Sequence, residues 1–202
     1  MKAVLFDLDR TLVDVQSYTD YTAALADVEA LVGTWSDRPT PPTGWDGPTR
    51  RCMGVLVALS GDPRWQEVSD VIEVHELRAT EESAAMPGLE HIAAIGVPLA
   101  VVTLLPPGAA RRVLDKYHIE IDVLVGRQAN LAPKPAADQL LAACRALSVD
   151  PPDAVMVGDS TWDEVAAGAA GCGFVGVTNG GSGEFGPQTD TVANLSEFTA
   201  RF

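Results

Sequence analysis

The chain has 202 residues, 47% of them apolar and 21% charged, which is enough apolar material for one folded domain or one domain carrying an insertion. Its net charge of −14 and pI of about 4.4 give a surface that repels polyanions, so no nucleic-acid partner is expected. No apolar run approaches the roughly 20 residues that span a bilayer, so no membrane partner is expected either.

Met1-Lys2 leads directly into an apolar run with no signal-peptide core, and a cytoplasmic location is the expectation. Cys52, Cys144 and Cys172 are odd in number and scattered, and they form no disulfide framework or CxxC site.

Ala3 to Phe6 reads as a short buried strand. Where it stops, Asp7 and Asp9 appear two residues apart, with Thr11 two further on. Val15 to Gly33 carries apolar residues at helical spacing, with Gly33 as the stop. Thr34 to Pro48 holds four prolines together with Trp35 and Trp45, and excludes a regular helix or central strand. Helical patterns resume over Thr49–Leu59 and Pro63–Leu77, separated by Ser60-Gly61-Asp62.

After Met86-Pro87-Gly88 the pattern changes. Leu89–Ile95 reads as a short helix, and Val97–Leu105 as a buried strand ending near Thr103. Helices over Ala109–Tyr117, Ala136–Leu147 and Trp162–Ala170 then alternate with strands over Val123–Val125, Ala154–Val157 and Phe174–Val177. A last helix starts at Leu195.

Such alternation predicts an α/β fold: a Rossmann-like parallel sheet covered by helices on both faces. Residues 15–87 lack strand signals and read as a helical insertion. The expected division is a core of residues 1–14 and 88–202 with the inserted segment 15–87 roofing its edge.

Four polar features sit at or just after predicted strand ends: Asp7/Asp9/Thr11, Thr103, Lys134 in Ala132-Pro133-Lys134-Pro135, and Gly158-Asp159-Ser160 with Asp163. In a parallel sheet these ends share one edge, so the groups converge despite their separation in sequence. Two carboxylates delivered by a buried strand are costly unless a cation compensates them, and a hard oxygen-ligated ion such as Mg²⁺ fits. The plainer alternative is a polar turn, with Thr11 capping a helix.

Asp7-Leu8-Asp9-Arg10-Thr11-Leu12, the hydroxyl at the second strand's end, Lys134-Pro135 and the stretch GDSTWDEVAAGAAG from Gly158 resemble the four motifs of the haloacid dehalogenase superfamily. The resemblance is closest to phosphatases of the phosphoglycolate-phosphatase type, which carry a helical cap after the first strand.

That resemblance implies a phosphatase acting on a small phosphorylated metabolite. Asp7 would be the nucleophile, Asp9 the general acid and base, Thr11 the residue holding the turn, Thr103 a phosphoryl ligand and Lys134 the charge-neutralising cation. Asp159 would ligate Mg²⁺, joined by Asp7, the backbone carbonyl of Asp9, and Asp163, the last either through water or by orienting Lys134. A β-phosphoglucomutase-like phosphomutase and a non-catalytic binding protein remain alternatives, and the oligomeric state is not legible.

Some residues depart from the family pattern or stand outside it. Arg10 occupies a position where the family often has Gly, and either sits passively or reaches a substrate anion. Leu104-Leu105-Pro106-Pro107 follows Thr103 where relatives usually carry Asn or Gly and then a polar residue, which puts the usual substrate in question. His75, His91 and His118 read as packing or surface residues, Asp20 and Asp27 as a solvated helix face, and Glu164 as a surface charge. Trp35 and Trp45 either anchor their loop or press on the substrate. Gly180-Gly181-Ser182-Gly183 reads as a flexible loop near the active edge.

Overall fold

The strand Ala3–Phe6 (β1) is apolar and fully buried, and the rest of the sheet is laid down on its two edges. The computed structural model describes residues 1–181 and 185–202. Short pieces follow β1: β2 (Val13–Asp14), a 3₁₀ turn (Gln16–Tyr18), and helices α1 (Tyr21–Val32), α2 (Gly47–Ala58) and α3 (Trp65–Glu82). The chain continues through β3 (Ala84–Ala85), a 3₁₀ segment (Leu89–Ala94), β4 (Leu99–Val102), α4 (Pro107–Lys116), β5 (Val123–Val125) and α5 (Asp138–Leu147). It ends with β6 (Ala154–Gly158), α6 (Thr161–Ala170), β7 (Gly173–Val177), β8 (Thr191–Val192) and α7 (Leu195–Thr199).

The main sheet has the order β5-β4-β1-β6-β7-β8, with every neighbouring pair parallel. Side chains alternate across it. Val4 and Phe6 enter one apolar cluster with Leu114 and Phe198, whereas Leu5 enters the opposite one with Leu140 and Ala166. Both faces are therefore covered, which explains why the strands read as continuous apolar runs.

Helices α1, α2 and α3 build a third cluster of their own, around Val28, Leu56, Trp65 and Ile72. Trp162 of α6 is wholly buried in that cluster, so the helical unit is seated on the strand-end edge of the sheet.

Several expected boundaries move, each for a local reason. The helix expected over residues 15–33 starts only at Tyr21, because the Asp20 carboxylate accepts the Ala23 N–H and caps it. Asp20 is exposed, as expected, and also serves as the cap. Asp27 pairs with His75 Nε2 at 2.8 Å, tying α1 to α3. Helix α2 begins inside the Pro-rich stretch, since Asp46 caps it and Pro48 falls in the first turn, where proline is tolerated.

Helix α3 runs past Leu77 to Glu82. Leu89–Ala94 is 3₁₀ rather than α, and the strand expected over residues 97–105 shrinks to Leu99–Val102. The antiparallel pair β2–β3 and the edge strand β8 were not expected, and two-residue strands leave no readable period. No helix among the described residues is long and apolar enough to cross a membrane. The loop read at Gly180-Gly181-Ser182-Gly183 reaches residues outside those described.

Candidate active site

Beyond β1 the Asp7 N–H donates to Val157 O at 2.8 Å, so Asp7 still belongs to the ladder as the strand ends. The chain then turns sharply. Leu12 and Val13 both donate to Leu8 O, Arg10 N–H donates to Val13 O, and Arg10 adopts a left-handed φ of 62°. That φ gives a physical reason for glycine at this position. β2 pairs antiparallel with β3 at the far end of the segment, so both ends of the helical unit are clipped together beside Asp7.

Asp7 is 5% exposed. Its Oδ1 accepts from Lys134 Nζ at 2.6 Å and its Oδ2 from Thr11 Oγ1 at 3.3 Å. Lys134 Nζ also donates to Asp163 Oδ1 at 2.6 Å and to Val102 O at 3.0 Å, which occupies all three ammonium donors. Asp163 sits in the first turn of α6 and forms a capping box with Ser160, whose N–H and Oγ donate to Asp163 Oδ2 at 3.2 and 2.7 Å. Asp163 therefore lies directly on Lys134.

Asp159 precedes that cap. Its ligand oxygens lie with those of Asp7 and Asp163 in a group spanning no more than 4.8 Å. The cation that pairs with Asp159 is Arg10, with Nε 3.7 Å from Oδ2. Asp9 turns away from this trio, and its Oδ1 accepts the N–H groups of Val15 and Gln16 at 2.8 and 2.9 Å. Thr103 is fully buried, and its Oγ1 accepts from Leu105 N–H at 3.1 Å. The seven expected residues thus share one edge of the sheet, with Asp9's carboxylate outside the carboxylate trio.

Burial raises the Asp7 carboxyl to about 6, against the lowering effect of Lys134. Burial raises Asp9 to about 7, against its two backbone N–H bonds. Asp159 is pushed well above the usual carboxylate range by burial and by the charges of Asp7, Asp163 and Asp9. For Lys134, burial alone would lower the pKa, but Asp163 and Asp7 outweigh it and hold the amine charged. Three close carboxylates share one lysine and a distant arginine, which leaves negative charge in excess. Hard oxygen donors with surplus negative charge fit a divalent cation such as Mg²⁺.

Other residues complete the site. Gln139, fully buried, accepts the Lys134 N–H at 3.0 Å and donates to Thr103 O at 2.9 Å, stapling two loops together. A Cβ on Gly158 would lie 2.5 Å from the Asp163 carboxyl carbon, so only glycine lets that carboxylate fold back on the strand end. Arg127 follows β5 and is 1% exposed. It donates to Ser69 Oγ, Ser69 O and Glu76 Oε1 of α3, and to Leu104 O of the sheet edge, at 2.7–3.0 Å. Its position at the end of a predicted strand was a usable signal. So was Glu76, a charge on the buried stripe of α3 that includes Ile72 and Ala79.

A narrow cleft with a free volume of about 30 Å³ opens between the aspartates and the helical unit. Gln16, Tyr21, Trp45, Thr49, Met53 and Glu76 line its helical side. Trp45 packs at a tilt of 53° on Trp162 with ring centroids 4.9 Å apart, so it both anchors its loop and lines the cleft. The loop is further pinned by Thr161 Oγ1 to Pro42 O and Trp162 Nε1 to Pro41 O. Trp35 stays outside the cleft, under Arg51. Glu164 is half-buried and accepts from Thr189 Oγ1 at 2.5 Å, so it is not a bare surface charge.

Comparison with known proteins agrees with this geometry. A family model described as haloacid dehalogenase-like hydrolase matches residues 1–171. The chain is 31% identical over 196 residues to the phosphoglycolate phosphatase of Neisseria meningitidis, covering 89% of this chain and 81% of that protein. It is 31% identical to phosphoglycolate phosphatase 1 of Pseudomonas aeruginosa, covering 89% and 70%. The crystal structure of a putative phosphoglycolate phosphatase from Lactobacillus plantarum superposes with a TM-score of 0.73 at 19% identity, covering 100% of this chain and 99% of that one. A strand-end aspartate held by a buried lysine, a glycine-backed acidic cap and a match over most of the chain together show that this protein belongs to the haloacid dehalogenase-like hydrolases.

Proposed function

We propose that the protein is a Mg²⁺-dependent phosphatase that hydrolyses a small phosphorylated metabolite through an aspartyl-phosphate on Asp7, and that residues 15–87 act as its cap. The observation that carries this reading is Lys134 Nζ at 2.6 Å from both Asp7 and Asp163, within a trio of carboxylates that includes Asp159. The names of the relatives support phosphate-ester chemistry.

In this reading Lys134 holds Asp7 with one oxygen fixed and neutralises charge as it builds on the phosphoryl group. Asp7 attacks phosphorus in line as the ester P–O bond breaks. The leaving alkoxide takes the proton of Asp9. Both backbone N–H bonds to Asp9 fall on Oδ1, which leaves Oδ2 as the oxygen that carries that proton. A carboxyl raised to about 7 retains the proton near neutral pH, as a general acid must.

Asp9, now ionised, then takes a proton from water as the water oxygen attacks the phosphorus of the aspartyl-phosphate, releasing inorganic phosphate and regenerating Asp7. Thr103 Oγ1 accepts from Leu105 N–H, which leaves its O–H to donate to a phosphoryl oxygen. Asp7, Asp159 and the Asp9 backbone carbonyl would hold Mg²⁺, with Asp163 chiefly positioning Lys134. When bound, the ion would neutralise phosphoryl charge and orient the group for attack.

The test is phosphate release from a panel of sugar phosphates, phosphoglycolate and nucleotides, with Mg²⁺ and with EDTA. The wild type should release phosphate only with the metal, and Asp7→Asn should release none while melting cooperatively. Isomer formation from a sugar phosphate without net phosphate release would reassign the chain as a phosphomutase. Zero turnover throughout would leave a binding protein.

A further inference from the structure

Buried polar atoms in folded proteins nearly always have partners, because an unpaired one forfeits its bonds to water. Among the described residues three buried side-chain oxygens have none: Thr49 Oγ1, Glu76 Oε2 and Asn179 Oδ1. Two of the three, Thr49 Oγ1 and Glu76 Oε2, belong to residues that line the same cleft from the helical side, facing the aspartates. Thr49 is 3% exposed and Glu76 0%.

Both residues are held in place. Thr49 sits in the first turn of α2, where its N–H is capped by Asp46. Glu76 is clamped through its other oxygen, Oε1, by Arg127 Nη1 at 2.7 Å and by Tyr21 Oη at 3.2 Å. The free oxygen of Glu76 is therefore fixed in position with no local donor turned toward it.

Building on the phosphatase reading above, we propose that Thr49 and Glu76 form the leaving-group subsite, and that the preferred substrate is a phosphate ester whose alcohol portion carries further hydroxyl groups rather than a carboxylate. Hydroxyls of the alcohol portion donate to Glu76 Oε2 and exchange a bond with Thr49 Oγ1, giving each orphan a partner. A carboxylate has no proton to give to Glu76 Oε2. Arg10 pairs with Asp159 at 3.7 Å and does not line the cleft. Among the described residues Lys134 is the sole Lys or Arg lining the cleft, and its three donors are taken by Asp7, Asp163 and Val102. Arg127 makes four hydrogen bonds, to Ser69, Glu76 and Leu104, and does not line the cleft. Leu104 and Leu105, which also line it, add apolar surface rather than a charge. This chain thus departs in preference from the activity named for its relatives.

The experiment measures kcat/KM with Mg²⁺ for glycerol 3-phosphate, ribose 5-phosphate, n-propyl phosphate and phosphoglycolate, alongside p-nitrophenyl phosphate. The hydroxylated esters should exceed both n-propyl phosphate and phosphoglycolate by about tenfold or more, the scale of one or two satisfied hydrogen bonds. Thr49→Val, which keeps the side-chain shape, should cut the hydroxylated-to-propyl ratio by roughly five- to tenfold, and Thr49→Ser should restore it. Each variant is checked for a cooperative melt. Phosphoglycolate as the best ester, or a ratio unmoved by Thr49→Val, overturns the subsite while leaving the phosphatase reading intact. Failure to turn over any of the five esters, p-nitrophenyl phosphate included, overturns both.

Discussion

Replacing Lys134 with methionine keeps most of the side-chain volume but removes the charge that joins Asp7 to Asp163. In the native protein the ammonium lies 2.6 Å from each carboxylate, with all three groups almost completely buried. Removing one partner of a buried ion pair typically costs about 3–5 kcal/mol, because the other charge is left uncompensated. Here two charges are stranded, and the Val102 carbonyl loses its donor as well.

The carboxyls can limit that loss by protonating. Asp7, already raised to about 6 by burial, rises further once the lowering charge of Lys134 is gone. An acid raised in the folded state is penalised above its folded pKa and relieved as pH falls through it. The deficit should therefore be large at pH 8 and shrink toward pH 5. For a chain of this size about 3–5 kcal/mol corresponds to roughly 6–20 °C in Tm. The assay is thermal unfolding by circular dichroism in EDTA at both pH values, followed by addition of Mg²⁺, which should restore part of the lost Tm. A Tm within about 2 °C of wild type at pH 8 would refute the idea that Lys134 is the cation on which these carboxylates depend.

Three further outcomes follow from the same geometry. Gly158→Ala places a Cβ 2.5 Å from the Asp163 carboxyl carbon, so it should cost about 1–3 kcal/mol in chemical denaturation and slow turnover; a neutral effect would mean that Asp163 need not sit where it does. In EDTA the wild type should gain stability as pH falls from about 8 toward about 4, because Asp7 (about 6), Asp9 (about 7) and Asp159 (well above the normal range) are all acids raised by folding. Saturating Mg²⁺ should flatten that profile, and an unchanged profile would count against metal binding by these groups. Asp9→Asn should lower kcat by roughly 10²–10⁴ for an alkyl phosphate, whose leaving group needs a proton, and by much less for p-nitrophenyl phosphate; equal losses would remove Asp9 from proton transfer.

The sheet was legible because its strands are buried on both faces, which makes Ala3–Phe6, Leu99–Val102 and Ala154–Gly158 stand out as apolar runs. The convergence of Asp7, Lys134, Asp159 and Asp163 was legible for a related reason. Parallel strands put their carboxyl ends on one edge, so a polar residue after each apolar run lands near the others.

What stayed hidden depends on contacts between segments. Thr49 looks like an ordinary first-turn residue of a helix until that helix is folded over the cleft, and the charge of Glu76 on a buried stripe does not reveal which cleft it lines. Gln139 is one polar residue in the first turn of α5, and nothing local reveals that it staples the Lys134 and Thr103 loops. Arg127 carried a signal in its strand-end position, but its partners on α3 lie some fifty residues away in sequence. The direction of the Asp9 carboxylate was equally hidden, because backbone N–H groups at Val15 and Gln16 set it.

Asp7 as the nucleophile can be observed on the protein itself. Turnover of p-nitrophenyl phosphate with Mg²⁺ is quenched in acid, and the peptide containing Asp7 is analysed by mass spectrometry. The account predicts one added phosphoryl group on Asp7 in the wild type and none in Asp7→Asn. Steady phosphate release with the Asp7 peptide unmodified, and with Asp7→Asn turning over at the wild-type rate, would contradict it.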